Sequence, residues 1–87
     1  MGAAFRCQFH IEAESDPLVA SRLLALVSVR NELPERFSLV KDGVQLRIVL
    51  ETGHRDEPGI RRFLDLIWNI PAVVQVTCVW LPSVKAA

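Results

Sequence analysis

Between Phe5 and Glu14 apolar and polar residues alternate strictly. Phe5, Cys7, Phe9, Ile11 and Ala13 fall on one side, and Arg6, Gln8, His10, Glu12 and Glu14 on the other. A period of two with one apolar side predicts a strand buried on one face. The run Glu14-Ser15-Asp16-Pro17 then breaks the alternation. Asp16 can accept the free N–H groups at a helix start, and Pro17 suits a first turn, where no N–H is needed. From there Val19, Ala20, Leu23, Leu24, Leu26 and Val27 recur at helical spacing. This predicts a helix over 17–30, closed by Arg30 near its negative end and by Asn31, which tolerates left-handed angles.

The second half repeats the first. Arg36 to Val40 is a short second strand, and Lys41-Asp42-Gly43 is a hairpin signal, because Asp and Gly both tolerate positive φ. A third strand has Val44, Leu46, Ile48 and Leu50 inward and Gln45, Arg47, Val49 and Glu51 outward. Thr52 to Asp56 is expected as a loop. Glu57-Pro58 opens a second helix, with Ile60, Phe63, Leu64 and Ile67 on its inner side, and Asn69-Ile70-Pro71 ends it. Val73 to Leu81, rich in β-branched residues, is a fourth strand. Pro82 stops it, and Ser83 to Ala87 forms a tail. The order βαββαβ, two right-handed crossovers of one kind, predicts an α+β ferredoxin-like domain. Its four-stranded antiparallel sheet has the order 4-1-3-2, and both helices lie on one face.

That arrangement leaves the other sheet face bare. Strands one and three would place Arg6, Gln8, His10, Glu12, Gln45, Arg47 and Val49 there, with either Val73/Gln75/Thr77/Val79 or Val74/Val76/Cys78/Trp80 from strand four. Leu33, Trp68, Ile70 and Leu81 add apolar surface beyond what two helices obviously hide. A mixed face on so small a domain predicts self-association, the alternative being an ordinary solvated sheet.

With 87 residues the chain has room for one core. Ten Lys+Arg balance ten Asp+Glu. Without a positive surplus, neither nucleic-acid binding nor a polybasic membrane anchor is expected. The longest apolar runs fall far short of the roughly 20 residues that cross a bilayer. Met1 to Cys7 shows no signal-peptide core, so a cytoplasmic protein with reduced thiols is expected.

The positions that would stack RNA bases in this fold hold Gln8, His10, Gln45 and Arg47 rather than aromatics. The first strand-to-helix loop carries neither the Cys-x-x-Cys of a metal chaperone nor the arginine of an acylphosphatase-like phosphate cradle. His10 and His54 lack a converging set of metal ligands. Cys7 and Cys78 lie on strands expected to be neighbours and can approach each other. Glu12, Glu14 and Asp16 form an acidic rim at one strand end. No catalytic motif appears, and neither enzymatic activity, nor a metal, nor a cofactor is expected.

The element order, the Asp16-Pro17 helix start, the Arg22-Leu23-Leu24-x-Leu26-Val27 stripe and the Pro71-Ala72-Val73-Val74-Gln75-Val76 strand resemble an ACT domain over residues 5–81. Among ACT domains the chain is similar to the short, free-standing regulatory subunit of acetolactate synthase. The resemblance implies a non-catalytic module that pairs with itself, binds an amino acid or other small ligand, and modulates a larger catalytic subunit in amino-acid metabolism. It also implies a ligand loop at Glu14, Ser15, Asp16, Pro17, Leu18 and Val19, with Asn31 after helix one. In the family a glycine usually stands at the position of Leu18, which lets the backbone approach a ligand carboxylate. Two readings of this loop stay open: a ligand held at the helix N-terminus, or a capped helix in a ligand-free interaction domain. A free-standing amino-acid sensor is a further alternative.

Overall fold

The computed structural model describes residues 5–30 and 33–81. Six elements follow in the order β1 (Phe5–Glu14), α1 (Leu18–Ser28), β2 (Arg36–Asp42), β3 (Gln45–His54), α2 (Glu57–Trp68) and β4 (Val73–Leu81). The sheet is antiparallel throughout with the order β2-β3-β1-β4, which is the expected order read from the other edge. The fold is ferredoxin-like. Asn31 and the segment from Pro82 onward lie outside the described residues.

The alternation in β1 works as its pattern dictates. Cys7, Phe9, Ile11 and Ala13 are buried beneath the helices, where they meet Leu46, Ile48 and Leu50 of β3. Val19, Leu23 and Val27 of α1 and Ile60, Phe63 and Ile67 of α2 close this core from above. Burying an aliphatic side chain of this size contributes about 1.5–3 kcal/mol relative to leaving it in water.

Five expectations change in the structure. The hairpin loop is Gly43-Val44, not Asp42-Gly43, because Asp42 still pairs with Gln45. Gly43 has φ +64°, and as the first of two loop residues it fits a II′ turn, whose first position favours glycine. Val44 is consequently outside β3 and exposed, not inward. β3 runs on through Thr52, Gly53 and His54, the expected loop, because each of them pairs with β1. Helix α1 ends at Ser28, and Arg30 lies beyond it. Ile70, expected as surplus apolar surface, is buried, whereas Leu33 is exposed and Trp68 half-exposed.

The two helix starts use their aspartates differently. Asp56 is the residue before α2, and its side chain accepts the N–H of Gly59 at 2.8 Å. At the start of α1 no residue separates Asp16 from the proline, and Pro17 itself precedes the helix, so Asp16 stands one residue too early for that bond. It accepts the N–H of Leu18 at 2.9 Å instead. The β1–α1 loop is also tied by its backbone. Glu14 N–H donates to Ala72 C=O at 2.8 Å and Ser15 N–H to Val44 C=O at 2.9 Å. Ala72 has φ +79°, a left-handed angle that costs a residue with a Cβ about 1–2 kcal/mol.

Candidate functional site

The residues singled out in the β1–α1 loop divide into two groups. Glu14 and Ser15 are exposed and line a hollow of about 400 Å³, together with Lys41, Gly43 and Val44 from the β2–β3 hairpin. The hollow therefore joins two segments far apart in sequence, held together by the Ser15–Val44 backbone bond. Its walls carry one carboxylate, one ammonium and one hydroxyl. That is the complement of a small molecule bearing both charges.

The second group is engaged elsewhere. Asp16 holds the Leu18 amide with its side chain, and its carbonyl accepts the Val19 amide at 3.1 Å. The Val19 side chain is wholly buried in the core, while that of Leu18 is half-exposed. Pro17 is exposed and offers no N–H. The first donors of α1 thus have partners within their own loop. Lys41, Gly43 and Val44 were not anticipated for this site. Their signal, a hairpin tip at the end of β3 facing the end of β1, exists only once the strand register is known.

The open sheet face carries the second polar arrangement. Glu51 is only 7% exposed although its face has no covering layer. Gln8 Nε2 donates to Glu51 Oε2 at 2.7 Å, and the guanidinium groups of Arg6 and Arg36 stand 3.6 and 3.8 Å from its carboxylate. His10 Nε2 in turn donates to Gln8 Oε1 at 2.6 Å. Strand β4 contributes Gln75, Thr77 and Val79 to this face, which resolves the choice left open by its sequence. A shallow hollow of about 180 Å³ lies between His10, Glu12, Arg47, Val49, Gln75 and Thr77.

On the covered face, Thr52 and His54 share a buried hydrogen bond of 2.7 Å. The His54 ring stands edge-on to Phe9 and Phe63. Arg30 packs over Phe63 and donates to the Gly53 carbonyl at 2.8 Å, which ties it to the end of β3. Burial, helped by the nearby Arg30 charge and opposed by Asp56, pushes the His54 pKa down to about 4. The ring is therefore neutral and structural.

Cys7 and Cys78 do approach each other. They lie diagonally across the β1–β4 pair, near enough for each thiol to affect the other's titration. Both are free, and burial raises the pKa of each, that of Cys7 to about 12. Protonated thiols of this kind are poor nucleophiles. Among the described residues no three His, Cys, Asp or Glu side chains gather in a way that could hold a metal ion. No helix among them is long and apolar enough to cross a membrane.

No protein-family model matches the sequence, and no curated protein matches it significantly. Solved structures do match. The crystal structure of the ACT domain from GTP pyrophosphokinase of Chlorobium tepidum superposes with a TM-score of 0.75 at 12% identity. The match covers 86% of this chain and 97% of that one. The solution structure of the same domain gives 0.73 at 12% identity, over 86% and 85% of the two chains. A transcriptional regulatory protein of the AsnC family from Pyrococcus furiosus gives 0.61 at 15% identity. That match covers 97% of this chain, which spans about half (55%) of the regulator. The chain thus has an ACT-like fold.

Proposed function

We infer that this domain is a non-catalytic regulatory module that takes a small zwitterionic ligand of the amino-acid class. It modulates a partner enzyme of amino-acid metabolism, in the manner of the small subunit of acetolactate synthase. The observation that carries this reading is the hollow between the β1–α1 loop and the β2–β3 hairpin, where Glu14 and Lys41 supply opposite charges beside Ser15. A ligand ammonium would meet Glu14 and a carboxylate Lys41. The ACT-like fold supports the regulatory role by analogy.

A second reading, a ligand-free interaction domain, is favoured by one specific contact. Asp16 already occupies the Leu18 amide, which a ligand carboxylate at the helix start would otherwise take. The amino-acid reading places the ligand beyond that capped amide, against Glu14 and Lys41. Thermal unfolding in the presence of each of the twenty amino acids separates the two. A ligand at about 100 times its Kd adds about 2.7 kcal/mol of stability, and Lys41→Ala should abolish the shift. If no amino acid moves the melting temperature, the ligand reading fails and the interaction domain stands.

A further inference from the structure

The open sheet face is laid out in cross-strand rows. Ser38, Val49, His10 and Thr77 form the middle one. On one side of it lies the row Arg36, Glu51, Gln8 and Val79, and beyond that Arg6. On the other side lies Val40, Arg47, Glu12 and Gln75, and beyond that Asp42, Gln45 and Glu14. One end of the face therefore sets two arginines against a single carboxylate, and the other sets three carboxylates against a single arginine. The middle row carries no fixed charge.

This layout is its own complement. A twofold axis in the plane of the face, running along the middle row, lays each strand antiparallel over its own copy. It brings Arg6 opposite the partner's Glu14 and Glu51 opposite the partner's Arg47, each contact occurring twice. Gln8 comes to lie over the partner's Glu12. Exposed Val40 and Val79, with Val49, give the contact an apolar share. An axis along the strands would instead lay β3 over β1 and β2 over β4, pairing only Arg47 with the partner's Glu12 and leaving Arg6 and Arg36 without a facing carboxylate.

We propose that the open sheet face is the interface with a second copy of this chain, packed face to face about that axis. The size is adequate. Four strands about 4.8 Å apart and eight residues of about 3.3 Å each span about 500 Å² per copy, or about 1,000 Å² for the pair, the lower bound for a specific interface. Such a contact is isologous, closes after two copies, and leaves the Glu14–Lys41 hollow at its rim. It does not depend on a ligand being bound there.

Sedimentation equilibrium of the whole chain tests the proposal. The wild type should behave as twice 9.8 kDa at micromolar concentration, and its Kd should rise by about tenfold or more between low and high salt. Glu14→Lys and Arg6→Glu should each give monomers, and an equimolar mixture of the two should restore a dimer, since each mixed contact again pairs opposite charges. Circular dichroism confirms that each variant is folded. Should Arg6→Glu not fold, Thr77→Arg puts like charges on the axis row and should give a monomer by itself. A wild type that stays monomeric overturns the proposal. So does a dimer that survives both Glu14→Lys and Thr77→Arg, because it would then be built on an edge strand or the helices. Thermal shifts with amino acids are read separately, so either proposal can fail alone.

Discussion

Glu51 and Thr52 are chain neighbours on opposite faces of β3, and each anchors a polar cluster at the same end of the sheet. Under the helices, Thr52 bonds to His54 in a space lined by Phe9 and Phe63, with Arg30 over Phe63 at its edge, and the bonded pair is neutral. On the open face Glu51 is nearly as buried, yet it is ion-paired with Arg6 and Arg36 and accepts a hydrogen bond from Gln8. The difference lies in what does the burying. A helix layer excludes water and leaves a buried ionisable group neutral unless it is paired. Long side chains lying over a sheet shield a carboxylate while their own charged heads supply its partners. The two clusters should therefore fail by different routes.

The largest expected effect is on the covered side and is set by pH. His54 takes up a proton at about pH 4 in the folded chain and near 6.5 when unfolded. Between those values the unfolded state binds more protons, so stability is greatest above about 6.5 and is lost as pH falls towards 4. The full shift corresponds to at most about 3 kcal/mol. Denaturant unfolding at pH 7.5, 5.5 and 4.5 measures the slope. His54→Gln can keep a hydrogen bond to Thr52 but cannot titrate, and it should flatten the acid side of the curve. Equal slopes in the two proteins would mean that His54 is not held neutral by its surroundings.

The same comparison shows what the residue pattern can and cannot convey. Strand β1 was legible because its two faces carry different chemistry at every step. The far end of β3 was not, since Thr52, Gly53 and His54 look like a loop in one dimension. Only the pairing with Phe5, Arg6 and Cys7 makes them a strand. The burial of Glu51 was equally hidden, because it arises from residues 43 positions earlier and 15 earlier in the chain. Of the candidate ligand loop, the readiness of Asp16 to accept an N–H at the helix start followed from its place before a proline, although the N-cap position itself falls to Pro17. The recruitment of Lys41 did not, because it depends on where the hairpin tip comes to rest. Local chemistry is written locally, whereas shared hollows and shielded charges are products of register.

The next effect is on the open side. Glu51→Ala leaves two guanidinium groups without their carboxylate and Gln8 without its acceptor. A loss of about 1–3 kcal/mol follows for removing a shielded charged partner. Glu51→Gln keeps an acceptor for Gln8 and should lose less. The contrast with His54 is in the dependence on conditions. The Glu51→Ala deficit should persist at pH 7.5, where the His54 contribution is already complete. Urea unfolding of both variants at that pH is the check, and a Glu51→Ala protein as stable as wild type would show that the arginines shield the carboxylate without holding it.

The smallest effect comes from a pair that looks similar on paper. Arg47 lies 3.7 Å from Asp42 on the same open face, but both side chains are about two-thirds exposed. Water competes with the contact at both ends, and holding two long side chains in one geometry costs entropy. Pairs of this kind are worth about 0–1 kcal/mol, and often nothing measurable. Arg47→Ala should therefore change unfolding free energy by less than about 0.5 kcal/mol when measured on dilute protomers. Its association should weaken all the same, because Arg47 is the residue that faces the Glu51 carboxylate of the second copy in the face-to-face arrangement. Folding measured at low concentration and sedimentation at high concentration thus separate the two roles. A large loss of folding stability would contradict the view that shielding, rather than proximity, gives the charges on this face their value.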